Sequence, residues 1–238
     1  MNVLTRLWDH GYASQPAPPA WVVGVTALAA LLLVLNTASW RLAGQVITIA
    51  HEGGHALVSV LSGRRLEGIR LHADSSGVTY SRGKRRGPGL VLTAAAGYLT
   101  PPLLGAGAAA LLAARHPAAL LWLALVLLAA TFLAVRNAFG ALAVLVTAAG
   151  VFAVSYYAAA AVQAGFAYLA AWFLLLGGMR PALELTRRRR GSRSASRSGL
   201  SDADQLARLT GVSRGVWVAA FLLIATAALA LGARLLIP

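Results

Sequence analysis

The sequence predicts an all-α polytopic membrane protein with about seven (six to seven) transmembrane helices and a short β-hairpin. Of the 238 residues, 58% are hydrophobic and 12% charged, and the mean hydropathy is +0.70, which is typical of a membrane protein and not of a soluble domain. Several apolar runs reach the roughly 20 residues that cross a bilayer as a helix. One polar segment alternates apolar and polar residues around a turn sequence, as a hairpin does.

The charge and the missing cysteines narrow the chemistry. The formal net charge is +14, and in a membrane chain such a charge sets the topology and contacts anionic lipid at basic loops. We therefore expect the lipid bilayer as a partner and no nucleic acid. Because the chain has no cysteine, disulfides and thiolate metal sites are excluded, and any zinc would be bound by histidine and carboxylate.

The chain divides into a lead-in and one membrane domain. Residues 1–19 are a polar lead-in with several prolines, expected in the cytoplasm, and residues 20–238 form a single integral membrane domain. Trp21 and Trp40 suit the two interfaces of the first span, and Arg41 suits a short turn after it. The predicted spans are 20–40, 42–61, 90–114, 118–135, two that divide 139–176 near residues 158–163, and 216–236.

Two segments between the spans differ from the rest. Residues 63–87 alternate apolar and polar side chains around Asp74-Ser-Ser-Gly77 and predict a β-hairpin on the membrane surface. Residues 182–200 predict a flexible basic loop, followed by a short capped helix. Within the third span, Pro101 and Pro102 predict a kink or a helix split around a cavity.

The distribution of positive charge predicts the orientation. With seven spans and the N-terminus inside, 18 of the 21 Lys and Arg residues lie on the inner side. The outer side then has only Arg41, Arg115 and Arg234. By the positive-inside rule, the hairpin and the basic loop are cytoplasmic.

The most informative motif is His51-Glu52-Gly53-Gly54-His55, which lies inside the second span. Histidines at i and i+4 share one face of a helix, so His51 and His55 can reach one metal ion. Glu52 has the position of a carboxylate that takes a proton from a water on the metal. The alternative is a pair of histidines hydrogen-bonded inside the bundle without metal. Charged groups this deep are costly without a function, which favours the zinc site.

A catalytic zinc site needs a third protein ligand, and two late aspartates are the best candidates. Asp202 and Asp204 begin the short helix before the last span, on the same side as the hairpin. Ser201-x-x-Asp204 also fits a capping box, so these acids could instead cap the helix. From the residues alone, both Asp202 and Asp204 remain possible ligands.

Taken together, these motifs resemble the site-2 protease family of intramembrane zinc metallopeptidases. The resemblance is to the bacterial branch with a late Ser-Asp-Ala motif, here Ser201-Asp202-Ala203, and it covers most of residues 42–220. Supporting matches are Gly97-Tyr98 with Pro101, Arg136-Asn137, and Gly178-x-Arg180-Pro181. The resemblance implies that His51, His55 and Asp202 bind Zn²⁺ and that Glu52 is the catalytic base.

The resemblance implies an intramembrane zinc metalloendopeptidase. We expect it to hydrolyse peptide bonds of membrane-associated, membrane-spanning protein substrates in regulated intramembrane proteolysis. We expect it in the bacterial cytoplasmic membrane with its N-terminus inside. Asn137 is a further candidate, as a donor to the substrate or oxyanion, although a polar residue at a span end often only caps a helix.

The main alternative function is that of a catalytically silent, zinc-bound membrane scaffold that binds a partner protein. A transporter with buried histidines is less favoured, because only one span is clearly interrupted. The sequence carries no signal of oligomeric state.

Overall fold

The computed structural model describes residues 14–187 and 201–237, which form a helical bundle with one two-stranded sheet. The elements in chain order are α1 (Ala20–Leu35), α2 (Thr37–Leu61), β1 (Arg65–Leu71), β2 (Gly77–Arg82), α3 (Pro88–Ala113), α4 (Pro117–Ala134), α5 (Ala138–Tyr157), α6 (Ala160–Arg187), α7 (Asp202–Thr210) and α8 (Arg214–Leu236).

The structure gives five or six candidate spans, so the predicted count of about seven (six to seven) is not confirmed at seven. In the described residues, α3, α4, α5, α6 and α8 are each long and apolar enough to cross a membrane. Helices α1 and α2 meet the same test only as a pair, and they are bent by 102° at the break between them. Counted as one broken span, the pair raises the number to six.

The break lies at Asn36, whose side chain begins the second helix. The Asn36 carboxamide oxygen accepts hydrogen bonds from the backbone N–H groups of Ala38 (2.9 Å) and Ser39 (3.1 Å). Such N-caps stabilise a helix start by about 1 kcal/mol. Trp40 and Arg41, predicted to lie at the turn between two spans, are instead part of α2.

Helix α1 lies along α6 and runs in the same direction. Val22 is the nearest neighbour of Gly165 near the start of α6. Near the other end of the two helices, Arg180 of α6 donates a hydrogen bond to the carbonyl of Val34 of α1. The Arg180 guanidinium also lies 4.5 Å above the ring of Trp40. The seven-span arrangement places Trp40 and Arg180 on opposite sides of the membrane, whereas the two residues are in contact in the structure.

The end of the lead-in lies far from the hairpin, which the sequence analysis placed on the same side of the membrane. Gln15 donates a backbone hydrogen bond to the carbonyl of Arg115, which follows the end of α3 (2.9 Å). Gly89, at the start of α3, lies against Ser62 at the end of α2, next to the hairpin. At 1.5 Å per residue, the 26 residues of α3 separate these two ends by roughly 40 Å. Gln15 is therefore at the end of the bundle opposite the hairpin.

The hairpin has the predicted form and is fixed in place on both strands. β1 and β2 are antiparallel, with Ile69 opposite Thr79 and Leu71 opposite Gly77, and a bulge between Leu66 and Gly68. Ile69 and Leu71 are fully buried in a cluster of apolar side chains from α2, α4 and α5.

The second edge of β1 is paired with the turn between α4 and α5. Ile69 forms a parallel bridge with Val135, and its carbonyl accepts from the Arg136 N–H at 2.8 Å. Strand β1 is thus paired along one edge with β2 and along the other edge with Val135. In the part of the chain that the structure describes, the outer edge of β2 pairs with no strand.

Helix α3 continues through both prolines, so the predicted interruption does not split it. Pro101 and Pro102 are fully buried, and Gly178 on α6 brings its backbone close to the Pro102 ring. The neighbouring helix thus fills the space at the prolines.

Helix α7 is a short element held by its cap and by α8. The capping box between Ser201 and Asp204 is formed, and the Asp204 carboxylate also pairs with the Arg214 guanidinium (3.2 Å). Arg214 in turn donates to the carbonyl of Leu185 on α6 (2.7 Å). Because α6 extends to Arg187, the predicted basic loop begins later than residue 182, and its residues 188–200 lie outside the described part.

Candidate metal centre

The two motif histidines turn their rings toward a common point. On α2 they are one turn apart, and their ring centroids are 4.8 Å apart with the planes almost perpendicular. The two Nε2 atoms are 3.2 Å apart. The histidine side chains are mostly buried, with exposed fractions of 17% for His51 and 10% for His55.

The structure brings Asp202 to this pair across about 150 residues of sequence. Its Oδ2 atom lies 3.1 Å from the Nε2 atom of His51 and 3.1 Å from that of His55. In a tetrahedral zinc site with bonds of about 2.0–2.2 Å, ligand atoms lie roughly 3.3–3.6 Å apart. The triangle of two nitrogens and one oxygen is close to that size. These three residues could therefore hold a metal ion.

The orientation of His55 agrees with a ligand role. Its Nδ1 atom lies 2.6 Å from the carbonyl oxygen of Thr93, and a carbonyl can only accept. When the ring is neutral, as a metal ligand must be, its proton therefore lies on Nδ1, and the lone pair of Nε2 is directed toward His51 and Asp202. A backbone carbonyl behind a metal-binding histidine fixes its tautomer in this way.

Gly97 on α3 leaves the space that a metal ion would need. A Cβ atom at this position would lie 2.4 Å from the Nε2 atoms of both His51 and His55. The Cβ atom of any other residue would therefore occupy the point where the two imidazoles meet. A glycine within an otherwise apolar helix costs about 1 kcal/mol relative to alanine, which fits a residue kept for space.

Asp202 is held in its ionised form. Burial raises the pKa of the Asp202 carboxyl, but when His55 is protonated, its positive charge and the hydrogen bonds from both histidines outweigh this effect. The pKa therefore lies well below its usual range, and the carboxylate is the form that binds metal. Asp202 is the first residue of α7, so the capping box of that helix sets the position of the carboxylate.

Asp204, the alternative ligand, instead caps helix α7 and forms an ion pair. Its carboxylate accepts from the Ser201 hydroxyl (2.5 Å) and pairs with Arg214, and it is not part of the three-residue cluster. The geometry thus separates two acids that the sequence left as alternatives.

Glu52 lies beside the cluster without joining it. The residue is 4% exposed, and its Oε2 atom accepts a hydrogen bond from the Thr79 hydroxyl at 2.7 Å. A buried carboxylate adjacent to a potential metal site, but outside the ligand set, has the placement of an acid/base group.

The cluster opens into a cleft of about 1390 Å³ between α2, the hairpin and the α6–α7 region. One wall is strand β2 together with the turn before it. The cleft also has apolar walls, among them Ile47, Leu90, Tyr98 and Leu185. Tyr98 packs edge-on against His51 at 4.8 Å and stacks on Phe221 at 5.0 Å, which keeps the imidazole in place.

Asn137 is not brought to the cluster. Its carboxamide Nδ2 donates to the carbonyl of Leu71 (2.8 Å), and its Oδ1 accepts from the Leu71 N–H (3.2 Å). Both polar ends of the side chain thus brace the end of β1.

Sequence reasoning did not predict the roles of Thr79, Thr93 and Gly97 around the cluster. Only Gly97 had a recognisable signal, as a glycine within an apolar span. A threonine in a strand and a backbone carbonyl in a helix carry no local mark of what they face.

A family model described as peptidase M50B-like matches residues 24–232, which is most of the chain and includes every residue of the cluster. No curated protein and no solved structure matches the chain.

Proposed function

Because this chain belongs to the peptidase M50B-like family, the site-2 protease family, we propose that it is an intramembrane zinc metalloendopeptidase. The family is one of metallopeptidases, and the apolar helices make the chain an integral membrane protein. Its substrates in this proposal are membrane-associated proteins, cleaved in regulated intramembrane proteolysis.

The observation that supports the proposal best is the placement of four side chains. His51, His55 and Asp202 offer three donor atoms 3.1–3.2 Å apart, and Glu52 lies beside them. They would hold the zinc ion while the carboxylate of Glu52 stays outside the ligand set. When bound, zinc would polarise the scissile carbonyl and lower the pKa of the attacking water.

The residues of the chain then have separate tasks. The Glu52 carboxylate accepts the proton of the attacking water and delivers it to the leaving amine, as a general acid/base does. The Thr93 carbonyl keeps the Nε2 lone pair of His55 free, and Tyr98 supports the ring of His51. The scaffold alternative assigns no task to a buried carboxylate at this point.

A substrate segment has an available partner in the outer edge of β2. That strand lines the cleft, whereas β1 is paired on both of its sides. An extended peptide added to β2 would form main-chain hydrogen bonds next to the cluster. A helical substrate would first have to unwind into this extended form.

The proposed orientation puts the hairpin end of the bundle in the cytoplasm of a bacterial cell. In the described part of the chain, this end has seven Lys and Arg residues in 63–87, together with Arg136, Arg180, Arg187, Arg208 and Arg214. These groups would contact anionic lipid headgroups. Since Gln15 lies at the other end, the N-terminus would be outside.

Metal removal tests this proposal. The detergent-purified protein should cleave dye-labelled casein, an unfolded protein of mixed sequence. It should lose that activity with a zinc chelator and regain it when one equivalent of zinc is restored. Activity that persists after zinc has been removed completely would contradict the proposal, and so would a zinc-loaded protein that leaves casein intact.

A further inference from the structure

The carboxylate of Glu52 is almost completely buried and yet is bound from outside its own helix. Thr79, on strand β2, places its hydroxyl oxygen 2.7 Å from Glu52 Oε2 and 3.1 Å from the Glu52 carbonyl oxygen. A hydroxyl has one proton to donate, and the shorter distance and the ionisable acceptor favour the carboxylate. A glutamate side chain has three rotatable bonds, so this contact selects one orientation from several.

Gly77 contributes to the same arrangement by leaving space. It is two residues before Thr79 and so projects to the same face of the strand. A Cβ atom on Gly77 would lie 2.6 Å from Glu52 Cγ and 2.8 Å from Oε1. Its φ lies outside the left-handed region, so the glycine is explained here by the approach of the carboxylate and not by backbone strain.

The strand that offers these two residues is itself held rigidly. Thr79 pairs with Ile69 and Gly77 with Leu71, and both apolar partners are fully buried. At the hairpin turn, the Thr48 hydroxyl of α2 donates to the carbonyl of Ser75 at 2.9 Å. The Thr79 hydroxyl is therefore presented to Glu52 from a fixed position.

We propose that Thr79 is a positioning residue for the general base, and that its hydroxyl holds the Glu52 carboxylate in the orientation needed for proton transfer, with Gly77 leaving the necessary space. This inference rests on the proposed peptidase function. In this proposal strand β2 has two tasks: its outer edge binds the substrate, and Thr79 orients the general base.

The test compares two substitutions of one residue. Thr79→Val keeps the shape and removes the hydroxyl, whereas Thr79→Ser keeps the hydroxyl. Initial rates of casein cleavage at several casein concentrations give kcat and KM, and zinc per chain is measured on the same samples. The matched control is Thr147→Val on α5, which also removes a hydroxyl bonded to a helix carbonyl (2.8 Å) but lies outside the cleft.

We expect Thr79→Val to lower kcat by about 10- to 100-fold, the range found when groups supporting a metal site are removed. KM and zinc content should stay at the parent values, and Thr79→Ser should restore most of the rate. Gly77→Ala should lower kcat as well, because its methyl group displaces the carboxylate. Thr147→Val should behave as the parent.

Several results would overturn the inference. If Thr79→Val cleaves casein at the parent rate, Thr79 does not position the base, although the peptidase function stands. Loss of zinc from Thr79→Val, or a Thr79→Ser variant as slow as Thr79→Val, would assign the residue a merely structural role. A zinc-loaded parent without activity would refute the proposed function, and this inference would fail with it.

Discussion

At the residue scale, one hydrogen bond determines what His55 can bind. The carbonyl of Thr93 occupies the Nδ1 side of the ring, so only Nε2 is left to meet His51 and Asp202. The remaining condition is space, and Gly97 supplies it from α3. The proposed metal centre thus needs both the three donor side chains and the space left by the missing side chain of Gly97.

Gly97→Ala should therefore weaken zinc binding. The added methyl group would lie 2.4 Å from both Nε2 atoms, and we expect zinc affinity to fall by at least about 10- to 100-fold. Alanine is the better helix former by about 1 kcal/mol, so a loss would not arise from a weaker helix. Zinc per chain, measured by elemental analysis after dialysis, reports the outcome.

Gly107→Ala is the matched control. Gly107 lies on the same helix, and a Cβ atom there would have no atom within 4 Å. This variant should keep about one zinc per chain. Equal zinc contents in the two variants would show that the space at Gly97 is not needed for a metal.

At the element scale, α7 has two acids with different tasks. Asp202 points into the cluster, and Asp204 closes the capping box and pairs with Arg214. The cap fixes the start of the helix, and the start of the helix fixes the third donor. Helix α7, with only nine residues, thereby connects α8 to the two motif histidines of α2.

Asp202→Ala and Asp204→Ala should differ in zinc content. The first removes a donor atom, so zinc and casein cleavage should both be lost. The second removes a cap and an ion pair, and we expect a loss of about 1 kcal/mol of stability with zinc retained. Zinc content and thermal unfolding of the two purified variants distinguish them. Zinc lost from Asp204→Ala but kept by Asp202→Ala would reverse the assignment.

The elements differ in how far the sequence predicted them. Local patterns of spacing and turn residues predicted three elements that are present in the structure: the helix with the two motif histidines, the hairpin, and the capped helix before the last span. The choice between Asp202 and Asp204 could not be made locally, because the histidines lie about 150 residues earlier. The contact between Thr79 and Glu52 likewise depends on how the hairpin packs against α2.

At the scale of the whole molecule, the main difference concerns α1 and α2. Trp40-Arg41 after an apolar run is the usual pattern of a span that ends at an interface, so two spans were predicted. In the structure Trp40 instead lies beneath Arg180, and the charge is accommodated by the aromatic ring and by Glu184. The local pattern at Trp40-Arg41 does not show that Trp40 packs against Arg180, a residue about 140 positions later in the chain.

The two arrangements place the lead-in on opposite sides of the membrane. Because the chain has no native cysteine, single cysteines can be labelled cleanly. We expect Ser14→Cys to react with a membrane-impermeant maleimide in intact bacterial cells, and Arg85→Cys in the hairpin segment to react only after the cells are broken. Labelling of both variants in intact cells, or of neither, would refute the six-span arrangement with an outer N-terminus.

The measurement that tests the central claim most directly is zinc content and casein cleavage in the Glu52→Gln variant. The account assigns metal binding to His51, His55 and Asp202, and proton transfer to Glu52. It therefore predicts about one zinc per chain, as in the parent, with cleavage slower by roughly 10²- to 10⁴-fold. A Glu52→Gln protein that cleaves casein as fast as the parent, or that loses its zinc, would contradict this division of tasks.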